Sequence, residues 1–253
     1  MEKIIKEKIR VSAVSYLNTL PFIFGLEQSK IMQTIELSLD TPAQCANKLI
    51  NDEADAGLVP VASIPEINSQ GIISDFCIGA DGAVKTVLLL SNHPLARINT
   101  IFLDTESRTS VKLVRVLANK FWKREFTWKP ITEFQDNQQG QAGLVLIGDK
   151  TFVESPKYKF SIDLAEEWKK FTGLPFVFAC WVANKKLPEE FIRDFNKSMK
   201  YGIDNIGAAV QIFQNGLISK PELKDYLEHS ISYNLDEAKK KAMELFLNYS
   251  KNL

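Results

Sequence analysis

Short aliphatic and β-branched runs alternate along this chain with stretches whose apolar residues recur every three or four positions, which predicts an α/β architecture. Ile9–Val14 reads as a first strand, and Asn18-Thr19-Leu20-Pro21 caps and opens a helix over residues 22–27. Residues 35–39 and 56–61 read as strands on either side of an amphipathic helix opened by Thr41-Pro42 and carried by Ala43, Ala46, Leu49 and Ile50. Residues 75–79 and 85–91 are predicted strands around the turn Ala80-Asp81-Gly82. Thr100–Leu103 leads through a polar turn into a helix marked by Val111, Val114, Leu117, Ala118 and Phe121. Ala142–Ile147 is a buried strand ending at Gly148-Asp149, residues 162–171 form a helix stopped by Thr172-Gly173, and residues 176–183 return as a strand. Beyond Pro188 the pattern turns helical over residues 188–213, 220–229 and 236–249.

Two of these strands, residues 85–91 and 178–183, bracket the middle of the chain and are read as crossovers between two lobes. Residues 1–91 with 182–253 then make one lobe and residues 92–181 the other, with a ligand cleft between them. The chain has 253 residues, 45% of them hydrophobic and 25% charged, enough for such a pair of lobes and ordinary for a folded protein. Lys plus Arg and Asp plus Glu both number 31, so no net field gathers nucleic acid or an anionic membrane. Cys45, Cys77 and Cys180 lie far apart without zinc-ligand spacing, which points to a reducing compartment. The opening residues 1–8 mix charge with single apolar residues, and no later run would span a bilayer, so the expected location is the cytoplasm, with no membrane partner.

Three polar clusters fall at predicted strand ends, where open α/β sheets contact ligands: Ser15-Tyr16-Leu17-Asn18-Thr19, residues 105–110, and Gly148-Asp149. Ser107, Thr109 and Ser110 at a helix start could hold a carboxylate or phosphate on free N–H groups and hydroxyls, or could simply cap the helix. Asn18 and Thr19 face the same choice, and Thr86 could point into a cleft or into the core. The chain has no GxSxG elbow, Walker loop, GxGxxG turn, HExxH or EF-hand, and its two histidines, His93 and His229, lie outside the clusters.

Read in order, six blocks resemble the chorismate dehydratases of futalosine-type menaquinone biosynthesis. They are VSYLNTLPF at 14–22, CIGADGAVKTVLL at 77–89, LD at 103–104 with SRTS at 107–110, LIGD at 146–149, DLAEEW at 163–168 and TGLPFVFA at 172–179. The resemblance implies a two-lobed type II periplasmic-binding-protein fold. It also implies conversion of chorismate to 3-[(1-carboxyvinyl)oxy]benzoate and water, with no metal or organic cofactor. It assigns catalysis to Asn18 and to Thr86, where the family commonly has Ser, and carboxylate binding to Ser107, Thr109 and Ser110. Tyr16, Thr19, Gly148 and Asp149 join the expected substrate contacts by position, while Arg108 is kept out of the first-choice site, its side chain open to either an anionic ligand or a structural acidic partner. No His, Cys or carboxylate pair stands among the clusters, so the enolpyruvyl carboxylate of the substrate is expected to act as base. A sister enzyme making 1,4-dihydroxy-6-naphthoate, whose opening Cys-Pro-Asn-Asp type motif is absent here, and a carboxylate-binding protein without catalysis are the alternatives.

Overall fold

The computed structural model describes residues 8–104, 106–134, 140–214, 216–251 and 253; the opening residues 1–7 and Thr105 of the second polar cluster lie outside the described residues. The first lobe begins with β1 (Ile9–Val14), α1 (Leu20–Glu27), β2 (Ile35–Asp40), α2 (Pro42–Ile50), β3 (Ala56–Pro60) and β4 (Gly71–Ala80). The second holds β5 (Val87–Ser91), β6 (Thr100–Leu103), α3 (Arg108–Val116), β7 (Thr127–Pro130), β8 (Ala142–Ile147), α4 (Lys150–Glu154), β9 (Phe160–Asp163) and α5 (Leu164–Thr172). The chain then returns through β10 (Phe176–Ala183), α6 (Glu189–Asp204), α7 (Ile206–Ile212), α8 (Lys220–Asp225), β11 (Ser232–Asn234) and α9 (Glu237–Ser250). Among the described residues the strands make a six-stranded sheet, β11-β4-β10-β3-β1-β2, and a five-stranded sheet, β7-β6-β8-β5-β9.

Local chemistry sets the boundaries. Thr41 and Gln44 form a reciprocal capping box at the start of α2, with Pro42 in its first turn. Asp163 accepts the N–H groups of Ala165 and Glu166 to start α5, and Gly173 ends it in the left-handed region at φ 74°. β10 is buried along its whole length because β3 and β4 flank it on both sides. Gly25 and Gly202 let α1 and α6 cross in backbone contact; a Cβ on Gly202 would collide with the carbonyl of Pro21.

The strands expected to cross between lobes each belong whole to one sheet. β5 pairs with β8 and β9, and β10 pairs with β3 and β4, so the chain passes between lobes at residues 81–86 and 173–175 rather than at 91/92 and 181/182. For the same reason Ala80-Asp81-Gly82 closes no hairpin: with Gly82 at φ 117° and Lys85 at φ 67°, the chain leaves one sheet for the other. Residues 162–163, expected to be helical, end β9, and the helix expected over 188–213 breaks at Asn205. One hydrophobic core runs unbroken from sheet to sheet, with the fully buried Trp168 of α5 packed edge-on against Phe176 and Phe246 at centroid distances of 5.3 and 6.1 Å. No described helix is long and apolar enough to cross a membrane.

Candidate active site

A cleft lies between the lobes at the carboxyl ends of β1, β3 and β8 and at the start of α3. It holds about 510 Å³ of empty space, part of it open to solvent. Leu58, Ile78, Ile147 and Phe178 give it apolar walls, and Tyr16, Asn18, Thr86, Ser107 and Ser110 supply its polar atoms. Among the described residues lining it there is no Lys, Arg, Asp, Glu or His.

Asn18 follows β1 in a tight turn whose geometry is fixed from two sides. The hydroxyl of Thr19 is shared between the carbonyls of Val14 and Tyr16, and the Asn18 carbonyl accepts the Tyr233 hydroxyl at 3.0 Å. Thr19 therefore shapes the turn and does not line the cleft. Asn18 Oδ1 is buried with no hydrogen-bond partner in the protein, an acceptor left for something in the cleft. The Tyr16 ring lies over Gly148, which sits at φ 70°; a Cβ there would stand 2.9 Å from the ring. Burial, followed by the charges of Glu106 and Asp104, pushes the Tyr16 phenol well above its ordinary range.

Thr86 is placed by strain and an anchor. Lys85 before it occupies the left-handed region, its N–H held at 2.7 Å by Asp163, the same carboxylate that caps α5. Burial outweighs the N–H groups that this carboxyl accepts and pushes it above its usual range. Thr86 itself is buried, with Oγ1 2.8 Å from the hydroxyl of Tyr226. Ser107 is both cap and cleft wall: its Oγ accepts the Ser110 N–H at 3.1 Å and donates to Ser110 Oγ at 2.8 Å. The N–H groups of Arg108 and Thr109 beside it have no carbonyl of their own helix to reach.

The structure does not gather all the expected contacts. The Thr109 hydroxyl accepts the Ala62 N–H and donates to the Phe178 carbonyl, tying α3 to the first lobe outside the cleft lining. Arg108 does the same with Glu66 and Asn47, each at 2.8 Å, the structural one of the two roles that the sequence left open. Asp149 also lies behind the wall, accepting the Leu17 N–H at 3.0 and 3.2 Å across the lobes; burial lifts its carboxyl to about 6 despite that bond. The described residues hold no cluster of three His, Cys, Asp or Glu side chains that could bind a metal ion.

Sequence reasoning missed Tyr226, Tyr233 and the anchoring role of Asp163. Asp163 carried a readable cap signal ahead of Glu166, whereas a tyrosine on an amphipathic helix looks like core until the tertiary contact is seen.

A family model described as menaquinone biosynthesis matches residues 9–252. The chorismate dehydratase of Campylobacter jejuni is 27% identical over 254 residues, covering 95% of this chain and 96% of the relative. That of Thermus thermophilus is 22% identical over 259 residues, covering 91% of each. A crystal structure from Archaeoglobus fulgidus superposes with a TM-score of 0.76 at 13% identity over 97% of both chains. A Candida albicans protein described as having the generic periplasmic binding protein fold superposes at 0.62, with 13% identity, over 98% of this chain and 91% of its own. The fold is therefore the periplasmic-binding-protein-like one.

Proposed function

The chain belongs to the menaquinone-biosynthesis family, and from that premise we propose that it is a chorismate dehydratase, forming 3-[(1-carboxyvinyl)oxy]benzoate and water. One observation carries the chemistry: a cleft with an amide and three aliphatic hydroxyls on its wall and no ionisable acid, base or cation among its described lining residues other than the Tyr16 phenol. A dianion can be held there by neutral donors, and in a dry cleft those donors act at low dielectric.

Loss of the proton at ring carbon 3 gives a carbanion conjugated with the ring carboxylate, and loss of the hydroxyl from carbon 4 completes the aromatic ring. With Tyr16 held protonated by burial, the base is the enolpyruvyl carboxylate of the substrate, which takes the carbon 3 proton and passes it to the departing hydroxyl, so that water leaves. Ser110, whose Oγ accepts the Ser107 proton and so keeps its own to donate, and the first turn of α3 bind the ring carboxylate, where charge delocalises as the proton departs. Asn18 and Thr86 hold the carbon 4 hydroxyl. Three buried free cysteines suit a reducing compartment, so we place the enzyme in the cytoplasm, at the first step of the futalosine-type route.

Incubating the purified protein with chorismate and following the aromatic product by absorbance and mass tests this reading. Asn18→Ala should lower kcat roughly 10²–10³-fold with an unchanged melting temperature. Chorismate recovered unchanged from the wild-type protein would leave a binding protein, and wild-type turnover in the variant would remove Asn18 from the mechanism.

A further inference from the structure

Tyr226 belongs to none of the polar clusters in the sequence, yet its hydroxyl meets that of Thr86 at 2.8 Å, with both side chains sealed from solvent. Resting on the dehydratase reading, we propose that Tyr226 is a positioning residue for the reaction: its phenol donates to Thr86 Oγ1 and so turns the Thr86 proton into the cleft, toward the leaving oxygen.

The direction follows from counting donors and acceptors. A threonine hydroxyl has one proton to place. The Val84 carbonyl at 3.5 Å is too distant for a good bond, which leaves the Tyr226 oxygen or the cleft. The Tyr226 hydroxyl is sealed from solvent and lies off the cleft lining, whereas Thr86 lines the cleft and can place its own proton there. A buried phenol must place its proton on an acceptor within reach, and the one its hydroxyl meets among the described residues is Thr86 Oγ1.

Asn18, which also lines the cleft, has its Oδ1 buried without a hydrogen-bond partner in the protein. The cleft then shows one acceptor, on Asn18, beside one donor, on Thr86. Together they complement an alcohol. Dianionic chorismate has a single O–H donor, the hydroxyl on carbon 4, so Asn18 accepts its proton while Thr86 donates to its oxygen. As the carbon–oxygen bond breaks, its electron pair passes to that oxygen, which takes up the proton relayed from carbon 3. Donation from Thr86 strengthens as the charge builds. The Tyr226 ring is clamped edge-on against Phe152 of α4 at 5.2 Å, which keeps its hydroxyl from swinging away.

The test is steady-state turnover of chorismate by the wild type, Tyr226→Phe, Thr86→Val and the double variant, with melting temperatures measured alongside. Tyr226→Phe should lower kcat roughly 10–100-fold, with a much smaller change in KM, and should add nothing in the Thr86→Val background. A kcat within twofold of wild type, or the same loss in both backgrounds, overturns the proposal. Absence of any aromatic product from the wild type would instead overturn the dehydratase reading beneath it. Neutron diffraction of the wild-type protein covers the case of a variant that does not fold. A deuteron on Tyr226 pointing at Thr86 Oγ1 supports the assignment, and one on Thr86 pointing at Tyr226 refutes it.

Discussion

Replacing Asp149 by Asn should make the protein more stable at neutral pH, even though it removes a charge that accepts the Leu17 N–H. Burial raises this carboxyl from 3.8 to about 6, and the single backbone donor recovers only part of that cost. Below about pH 3 the group is protonated in the folded and unfolded chains alike, and at pH 4 the cost to folding is still only about 0.5 kcal/mol. Between about 4 and 6 the unfolded chain gives up a proton that the folded chain keeps, so stability falls as pH rises, and above 6 the full cost of roughly 3 kcal/mol is present. Asp149→Asn keeps an oxygen acceptor for Leu17 and carries no charge. The variant should come within about 0.5 kcal/mol of wild type near pH 4 and exceed it by up to about 3 kcal/mol at pH 7.5, or roughly 6–12 °C in Tm for a chain of this size. Thermal melts of both proteins from pH 4 to 8 measure the difference, in which the other titrating groups cancel. Asp55, whose own burial is outweighed by Arg10 and Lys185, stays near 2 and is silent in this window. A variant less stable than wild type at pH 7.5, or a gap that does not change with pH, would refute the reasoning.

Other outcomes follow from the cleft wall. Gly148→Ala costs about 1–2 kcal/mol for the left-handed backbone alone and displaces the Tyr16 ring, so KM for chorismate should rise; an unchanged KM would show that the ring plays no part in closure. Ser110→Ala should raise KM roughly 10-fold by removing a donor to a carboxylate, measured by initial rates. Thr109→Val should lower stability in urea melts by roughly 1–3 kcal/mol, because it leaves the Ala62 N–H and the Phe178 carbonyl without their partner.

Strands with a largely apolar or alternating run were legible from the chain alone: β1, β6, β8 and β10 occupy the predicted residues. β7, β9 and β11 were not, because short edge strands such as Thr127–Pro130 mix polar and apolar residues and owe their existence to a neighbour. Which sheet holds β5 and which holds β10 was not legible for a related reason: hydrophobicity marks a strand as buried without saying which sheet buries it. In the site, Asn18, Thr86, Ser107 and Ser110 meet as expected because each sits at a strand end or helix start. Thr19 and Thr109 carry the same signal and spend it on the backbone, a distinction that only the folded geometry draws.

The position of β10 between β3 and β4 has a consequence for biosynthesis. Because the ribosome delivers β3 and β4 first, the centre of the larger sheet stays vacant until the whole smaller lobe has been translated. Tyr226 and Tyr233 emerge later still, so a nascent polypeptide can collapse around its early strands long before Thr86 and the Asn18 turn have their tyrosine partners, and the support behind the cleft wall is among the last things the growing chain acquires.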